Sequence, residues 1–309
     1  MKRINFILIG LGFILMEKIS LAQQEPMFTH YMFNKMSMNP AYAGTRNALS
    51  IVGLSRLQWI GLDGAPRSYA ISLHTPISSK KIGIGFSLIT DELGPMKNSY
   101  FTLNYAYRIN LNERWILSLG LKAGFNNFNL GLTDVSLNDA NDPDFLDNAK
   151  KLFAPNVGVG AYLYDEKFYV GFSAPKIVNT KLDGGISSAD AISLKRHYFI
   201  MSGYVFDINP DTKIKPSFSA KMVEGAPISL DLSVLFLYHD RIWAGPMYRF
   251  GDALGFLLDL KVNRQLTIGY SYDLTLSSLS TYNKGSHEIL VSYDLDGFLN
   301  KKIESPRYF

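Results

Sequence analysis

The sequence predicts an all-β protein, a transmembrane antiparallel β-barrel of about fourteen strands with an N-terminal periplasmic or plug segment. Three observations carry this expectation. Every second connection is a tight polar turn, as in Asn110-Leu111-Asn112-Glu113, Asp165-Glu166-Lys167, Asn209-Pro210-Asp211-Thr212, His239-Asp240-Arg241 and Val262-Asn263-Arg264-Gln265. The segments between those turns alternate large apolar residues with small or polar ones, which gives each strand one oily and one wet face. Aromatics make up 13% of the chain, with 18 Tyr, 20 Phe and 25 Gly. Mean hydropathy nevertheless stays near zero, because lipid-facing and lumen-facing residues cancel along every strand of a membrane barrel.

From the N-terminus, Lys2 and Arg3 precede an apolar stretch of 13 residues, 4–16, and Ser20-Leu21-Ala22 offers small residues before Gln23. This reads as a signal peptide over 1–22, too short to span a bilayer as a helix. No later run of about 18 apolar residues follows, which excludes a bundle of transmembrane helices. Residues 23–47 carry Met27, Phe28, Tyr31, Met32, Phe33, Met36 and Met38. They are too apolar for a free tail and should pack either inside the lumen or against the periplasmic mouth.

Fourteen strands are expected over 48–296, beginning near Ala48, Arg67, Lys81, Lys97, Glu113, Ala154, Lys167, Lys195, Thr212, Pro227, Arg241, Ala253, Gln265 and Gly285. An even number puts both chain ends on one side of the membrane. A periplasmic tail, 297–309, would follow. Trp59, Trp115 and Trp243 sit at strand ends and read as an interfacial girdle against outer-membrane lipid. The outer connections are freer; the longest, 130–153, carries Asp134, Asp139, Asp142, Asp144 and Asp147.

Residues with catalytic or metal-binding character are sparse. There is no cysteine, which excludes thiolate metal sites, disulfides and cysteine nucleophiles. His30, His74, His197, His239 and His287 lie scattered, none at metal-ligand spacing, and no serine is marked as a nucleophile. Gly83-Ile84-Gly85 and Gly158-Val159-Gly160 lie inside strands without a following helix, so they read as small lumen-facing residues and not phosphate loops. The run from Asp139 to Asp144 lacks the glycine of a calcium loop and is interrupted by Pro143. A net charge of +4 is too mild and dispersed for nucleic acid. No catalytic residue, cofactor or metal is expected.

Three stretches resemble the PorP/SprF family of type IX secretion outer-membrane proteins. They are Gln24-Glu25-Pro26-Met27-Phe28-Thr29-His30-Tyr31-Met32-Phe33-Asn34 with Asn39-Pro40-Ala41-Tyr42-Ala43-Gly44, then Gln58-Trp59-Ile60-Gly61 with Gly64-Ala65-Pro66 and Tyr69, and the terminal Ser305-Pro306-Arg307-Tyr308-Phe309. The resemblance implies a non-enzymatic barrel of the Bacteroidetes outer membrane, serving secretion or, in gliding species, adhesin display. Its implied partners are the C-terminal domain of a secreted adhesin or other cargo, and components of the translocon or the periplasmic ring. Candidate protein contacts are Phe28, Tyr31, Phe33, Asn39, Pro40 and Tyr42 on the periplasmic side, with Trp59, Asp139, Asp142 and Asp144 outside. On the residues alone, Asn39-Pro40 stops a helix and Gly44 permits a sharp bend into the first strand. The rival reading is a channel for a small solute, which a barrel this wide could hold.

Overall fold

A computed structural model describes residues 26–46, 48–77, 81–131, 150–178, 180–182, 192–295 and 308. The expected signal peptide, Asp139, Asp142 and Asp144, and the tail other than Tyr308 lie outside the described residues.

The strands are β1 (Leu49–Leu57), β2 (Arg67–Pro76), β3 (Ile82–Leu93), β4 (Met96–Asn110), β5 (Ile116–Leu130), β6 (Lys150–Tyr164), β7 (Phe168–Lys176), β8 (Thr180–Leu182), β9 (Ile192–Leu194), β10 (His197–Tyr204) and β11 (Phe206–Asn209). They continue with β12 (Thr212–Val223), β13 (Ser229–Tyr238), β14 (Ile242–Arg249), β15 (Ala253–Lys261), β16 (Leu266–Thr275) and β17 (Ser286–Leu295). β8 and β9 pair as a separate hairpin within an outer connection. Every other strand pairs antiparallel with its neighbour, β1 pairs with β17, and β10 pairs with both β7 and β12. β10 and β11 are one stave interrupted at Val205, so the sheet closes as a barrel of fourteen staves.

The alternation read from the sequence sorts cleanly by face. Leu103 is 64% exposed and Leu121 59%, while Arg56, Asp259 and Glu288 on the opposite face are 2% or less. In water such an apolar exterior would associate; in a bilayer it meets hydrocarbon, and no unpaired sheet edge remains within the ring. Strands of 8 to 15 residues suit a tilted crossing. β4, β5 and β6, of 15 residues each, are the longest, and β5 pairs with both neighbours over its full length. Phe101, Phe125 and Phe153 stack across these three strands with ring centroids 4.8 and 4.9 Å apart.

At the periplasmic rim, Trp115 meets Phe168 edge-on at 5.6 Å, and Phe168 leads on to Tyr204 and Phe206. Trp59 lies in the outer loop between β1 and β2, half-buried. Trp243 corrects the girdle expectation. It shares its face of β14 with Gly245, Met247 and Arg249, is buried, and points into the lumen beneath the Lys215 ammonium, 4.3 Å from its ring centroid.

Candidate functional site

Residues 26–46 occupy the lumen. They form loose turns, one short helix, α1 (Lys35–Met38), and a 3-10 turn at Pro40–Tyr42. Asn39 ends α1 in an extended conformation, accepts from the Ala41 N–H, and donates to the Ala161 carbonyl at 3.0 Å. Pro40 prevents the helix from continuing. Gly44 turns the chain at φ 72°, where its N–H reaches His74 Nδ1 and its carbonyl accepts from Arg108. The segment therefore descends from the outer half of the lumen to the periplasmic end and enters β1 there.

Small residues in the wall make room for it. A Cβ on Gly160 would overlap Asn39 Oδ1, and one on Gly120 would overlap the Ala41 backbone. Ser118 Oγ and Lys122 Nζ reach the Ala41 and Ser37 carbonyls at 2.6 and 3.1 Å, and Ser173 Oγ the Met38 carbonyl at 2.8 Å. Of the inward glycines expected to leave space, Gly83, Gly85 and Gly160 do so for Ala43, Met36 and Asn39 of the lumenal segment, whereas Gly158 lies against Pro175 of the neighbouring strand.

The strongest attachment is a buried charge cluster around Thr29-His30. The Thr29 and His30 N–H groups donate to the two carboxylate oxygens of Glu288, each at 2.8 Å. Thr29 Oγ1 donates to Asp273 at 2.6 Å and accepts from Arg56 at 2.7 Å. Arg56 also reaches Asp273 at 2.7 Å and Glu288 at 3.2 Å. His30 lies between Asp259 at 3.1 Å and Glu288 at 2.7 Å. Burial alone would lower the imidazole pKa, but those two carboxylates raise it to about 10, so His30 is an imidazolium at neutral pH. Two cations thus face three carboxylates, four of the five groups on adjacent strands and His30 on the lumenal segment, with every member fully or almost fully buried.

Two lysines seal the lower lumen. Lys35 donates to the Met32 carbonyl at 2.7 Å and lies over the Tyr42 and Tyr169 rings. Burial, then repulsion from Lys215 and Arg46, holds its pKa well below the ordinary value. Lys215 lies 4.7 Å from the Phe33 ring centroid and donates to the Tyr308 carbonyl at 3.1 Å, so Tyr308 is held at the same mouth.

The sequence profile of the PorP/SprF family of type IX secretion system membrane proteins matches residues 20–293. The chain belongs to that family. As a closed barrel with an oily exterior, this PorP/SprF protein resides in the bacterial outer membrane. No curated protein matches it. Among solved structures it is similar to Acinetobacter baumannii Omp33, at 8% identity, covering 82% of this chain and 100% of that one, with a TM-score of 0.48. A Pseudomonas aeruginosa FadL homologue is 11% identical, with 80% and 89% covered and a TM-score of 0.43. The KdgM porin is 9% identical, with 80% and 99% covered and a TM-score of 0.40. Likenesses this distant carry no function across.

The geometry also corrects the contact residues expected of this PorP/SprF protein. Phe28, Tyr31, Asn39, Pro40 and Tyr42 are buried and Phe33 is half-buried, all inside the lumen, so none of them faces the periplasm. Trp59 alone among the described candidates lies at the outer surface. Arg56, Asp259, Asp273 and Glu288 were not singled out from the sequence. Their signal was a lone charge on the wet face of an otherwise apolar strand.

Proposed function

We propose that this protein is a non-enzymatic anchor of type IX secretion, displaying a secreted surface protein or adhesin by holding its C-terminal domain on the outer side. The observation that carries the reading is the lumenal segment: hydrogen-bonded and charge-paired along its length, it favours a static platform over a solute channel.

The periplasmic rim, not residues 23–47, is the reading's candidate contact for the periplasmic ring. It is studded with ion pairs, among them Arg114–Asp165 at 2.6 Å and Lys213–Asp240 at 3.0 Å. The deciding experiment removes the gene and measures surface exposure of secreted C-terminal-domain proteins while their synthesis continues. Loss of display with normal synthesis supports the anchor. Normal display, or steady large currents through the purified barrel in a planar bilayer, overturns it.

A further inference from the structure

On the outer flank of the barrel, the loop between β1 and β2 overhangs a cleft of about 610 Å³. Leu57, Trp59, Leu62, Arg67, Tyr69 and Glu92 line it. Its floor is the lipid-facing side of the wall, because Arg67 and Tyr69 share the outward face of β2 with Ile71. The strand register marks where that face leaves hydrocarbon. Ile71, Leu88, Phe101 and Phe125 form one outward row across β2–β5. The next row outward is Tyr69, Thr90, Ser99 and Asn127, and the one beyond it Arg67, Glu92, Lys97 and Asn129. Apolar side chains give way to hydroxyls and then to charges within four residues, roughly 13 Å of strand. The cleft therefore lies at the headgroup level of the outer leaflet.

Charge in this row is unevenly matched. Register places Glu92 between Arg67 and Lys97, and Glu92 takes the Lys97 ammonium at 2.7 Å. Arg67, the cation of the lining, is left without a hydrogen-bond or ion-pair partner among the described residues. Asp63, the carboxylate of the loop itself, is not part of the lining. The cleft thus presents a planar guanidinium with its donors free, the geometry that matches a phosphate.

The overhang is fixed independently of that charge. The Ile60 N–H donates to the Gly285 carbonyl and the Ile60 carbonyl accepts from the Lys284 N–H, each at 2.8 Å. The Gly64 carbonyl accepts from the Gly94 N–H at 2.9 Å, which ties the loop to the β3–β4 turn. Trp59 takes φ 47°, a left-handed backbone that bulky residues rarely adopt, and its N–H donates to Ser286 Oγ at 3.2 Å. Strain held in place by surrounding bonds is a mark of ligand clamps.

We propose that this cleft seats the headgroup of a phosphate-bearing glycolipid of the outer leaflet. Its phosphate meets Arg67, its sugar packs against the Trp59 and Tyr69 rings, and its acyl chains run down the row of Ile71 and Leu88. A free anion would gain from Arg67 alone, whereas a lipid also covers the apolar face continuous with the cleft. The inference goes beyond the anchoring of a cargo and does not depend on it.

The test is native mass spectrometry of the full-length barrel in detergent micelles, titrated with phosphorylated lipid A or with the same lipid after removal of its phosphates. The phosphorylated lipid should bind about tenfold more tightly, the scale of one charge-assisted contact. Arg67→Gln should abolish that preference, and Arg67→Lys, which keeps the charge without the fork, should reduce it. Arg264→Gln, in an exposed periplasmic turn, should leave it intact. Gel mobility before and after heating checks that each variant is a folded barrel. Equal binding of the two lipids, a preference undiminished in the folded Arg67 variants, or one lost equally in Arg264→Gln overturns the proposal. Inorganic phosphate at the concentration of the lipid should not displace it; displacement would mark a simple anion site and defeat the lipid assignment.

Discussion

His30 Nδ1 lies 2.7 Å from Glu288 Oε1, and the same carboxylate oxygen also accepts the His30 backbone N–H at 2.8 Å. One side chain of the last strand thus fixes both the ring and the backbone of a residue in the lumenal segment. Four predictions about that segment, and one about the wall, follow from this geometry.

Docking of the segment should depend on pH through His30. Its folded pKa, about 10, lies above the ordinary 6.5, so the stabilisation is complete below about pH 6.5 and is lost as pH rises through about 10. Urea unfolding of the purified barrel between pH 6 and 10 should show this slope. His30→Gln should remove most of it; an unchanged slope would contradict the assignment.

Arg56→Met leaves Asp273 and Glu288 buried with one cation fewer. Stranding a buried charge of this kind costs about 3–5 kcal/mol. The expected result is protease sensitivity within 26–46 while heat-dependent gel mobility shows a folded barrel. Arg56→Lys, which keeps the charge but loses the forked geometry, should be intermediate.

Gly160→Val should act from the wall side. Its Cβ would occupy the position of Asn39 Oδ1, and overpacking of this sort costs about 1–3 kcal/mol. Displacement of the 39–42 turn would register as faster labelling of a cysteine placed at Ser37. Gly53→Val, in β1 where a Cβ would meet only the Val291 carbonyl oxygen at 3.9 Å, tests general effects of the substitution.

Deleting residues 26–38 should convert a quiet barrel into a conducting one in planar bilayers, because the described lumen narrows around that segment. Conductance indistinguishable from the parent would mean that something else closes the pore.

Leu121→Arg places a charge on the oily exterior, at an expected cost of about 2–4 kcal/mol near the bilayer midplane. The folded fraction after refolding into lipid vesicles measures it. Little change would argue that this face does not meet hydrocarbon.

Much of the barrel was legible because alternation and turn chemistry are local. All fourteen expected starts fall within four residues of the observed ones, the largest offset being Ala154 against Lys150 in the long outer arm of β6. The three-residue β8 and β9 carry too few positions to show a period, and they passed as loop. Trp243 was misplaced because its position at a strand end was read without its face. It shares parity with the buried Arg249, which was the available clue. The charge cluster was hidden for a different reason. Arg56, Asp259, Asp273 and Glu288 are distant in sequence, and only the register of β1 with β15–β17 brings them around Thr29-His30.

The register between the first and last strands has a consequence for biogenesis. Arg56 and Glu288 are direct partners across β1 and β17, the seam at which the ring shuts. A nascent chain still lacking its final strand lacks Glu288, which holds both backbone N–H groups of Thr29-His30 and the imidazole. Completion of the cylinder therefore completes the clasp, and a barrel that seals without that segment inside would leave Arg56, Asp273 and Glu288 without the threonine and histidine they are built around.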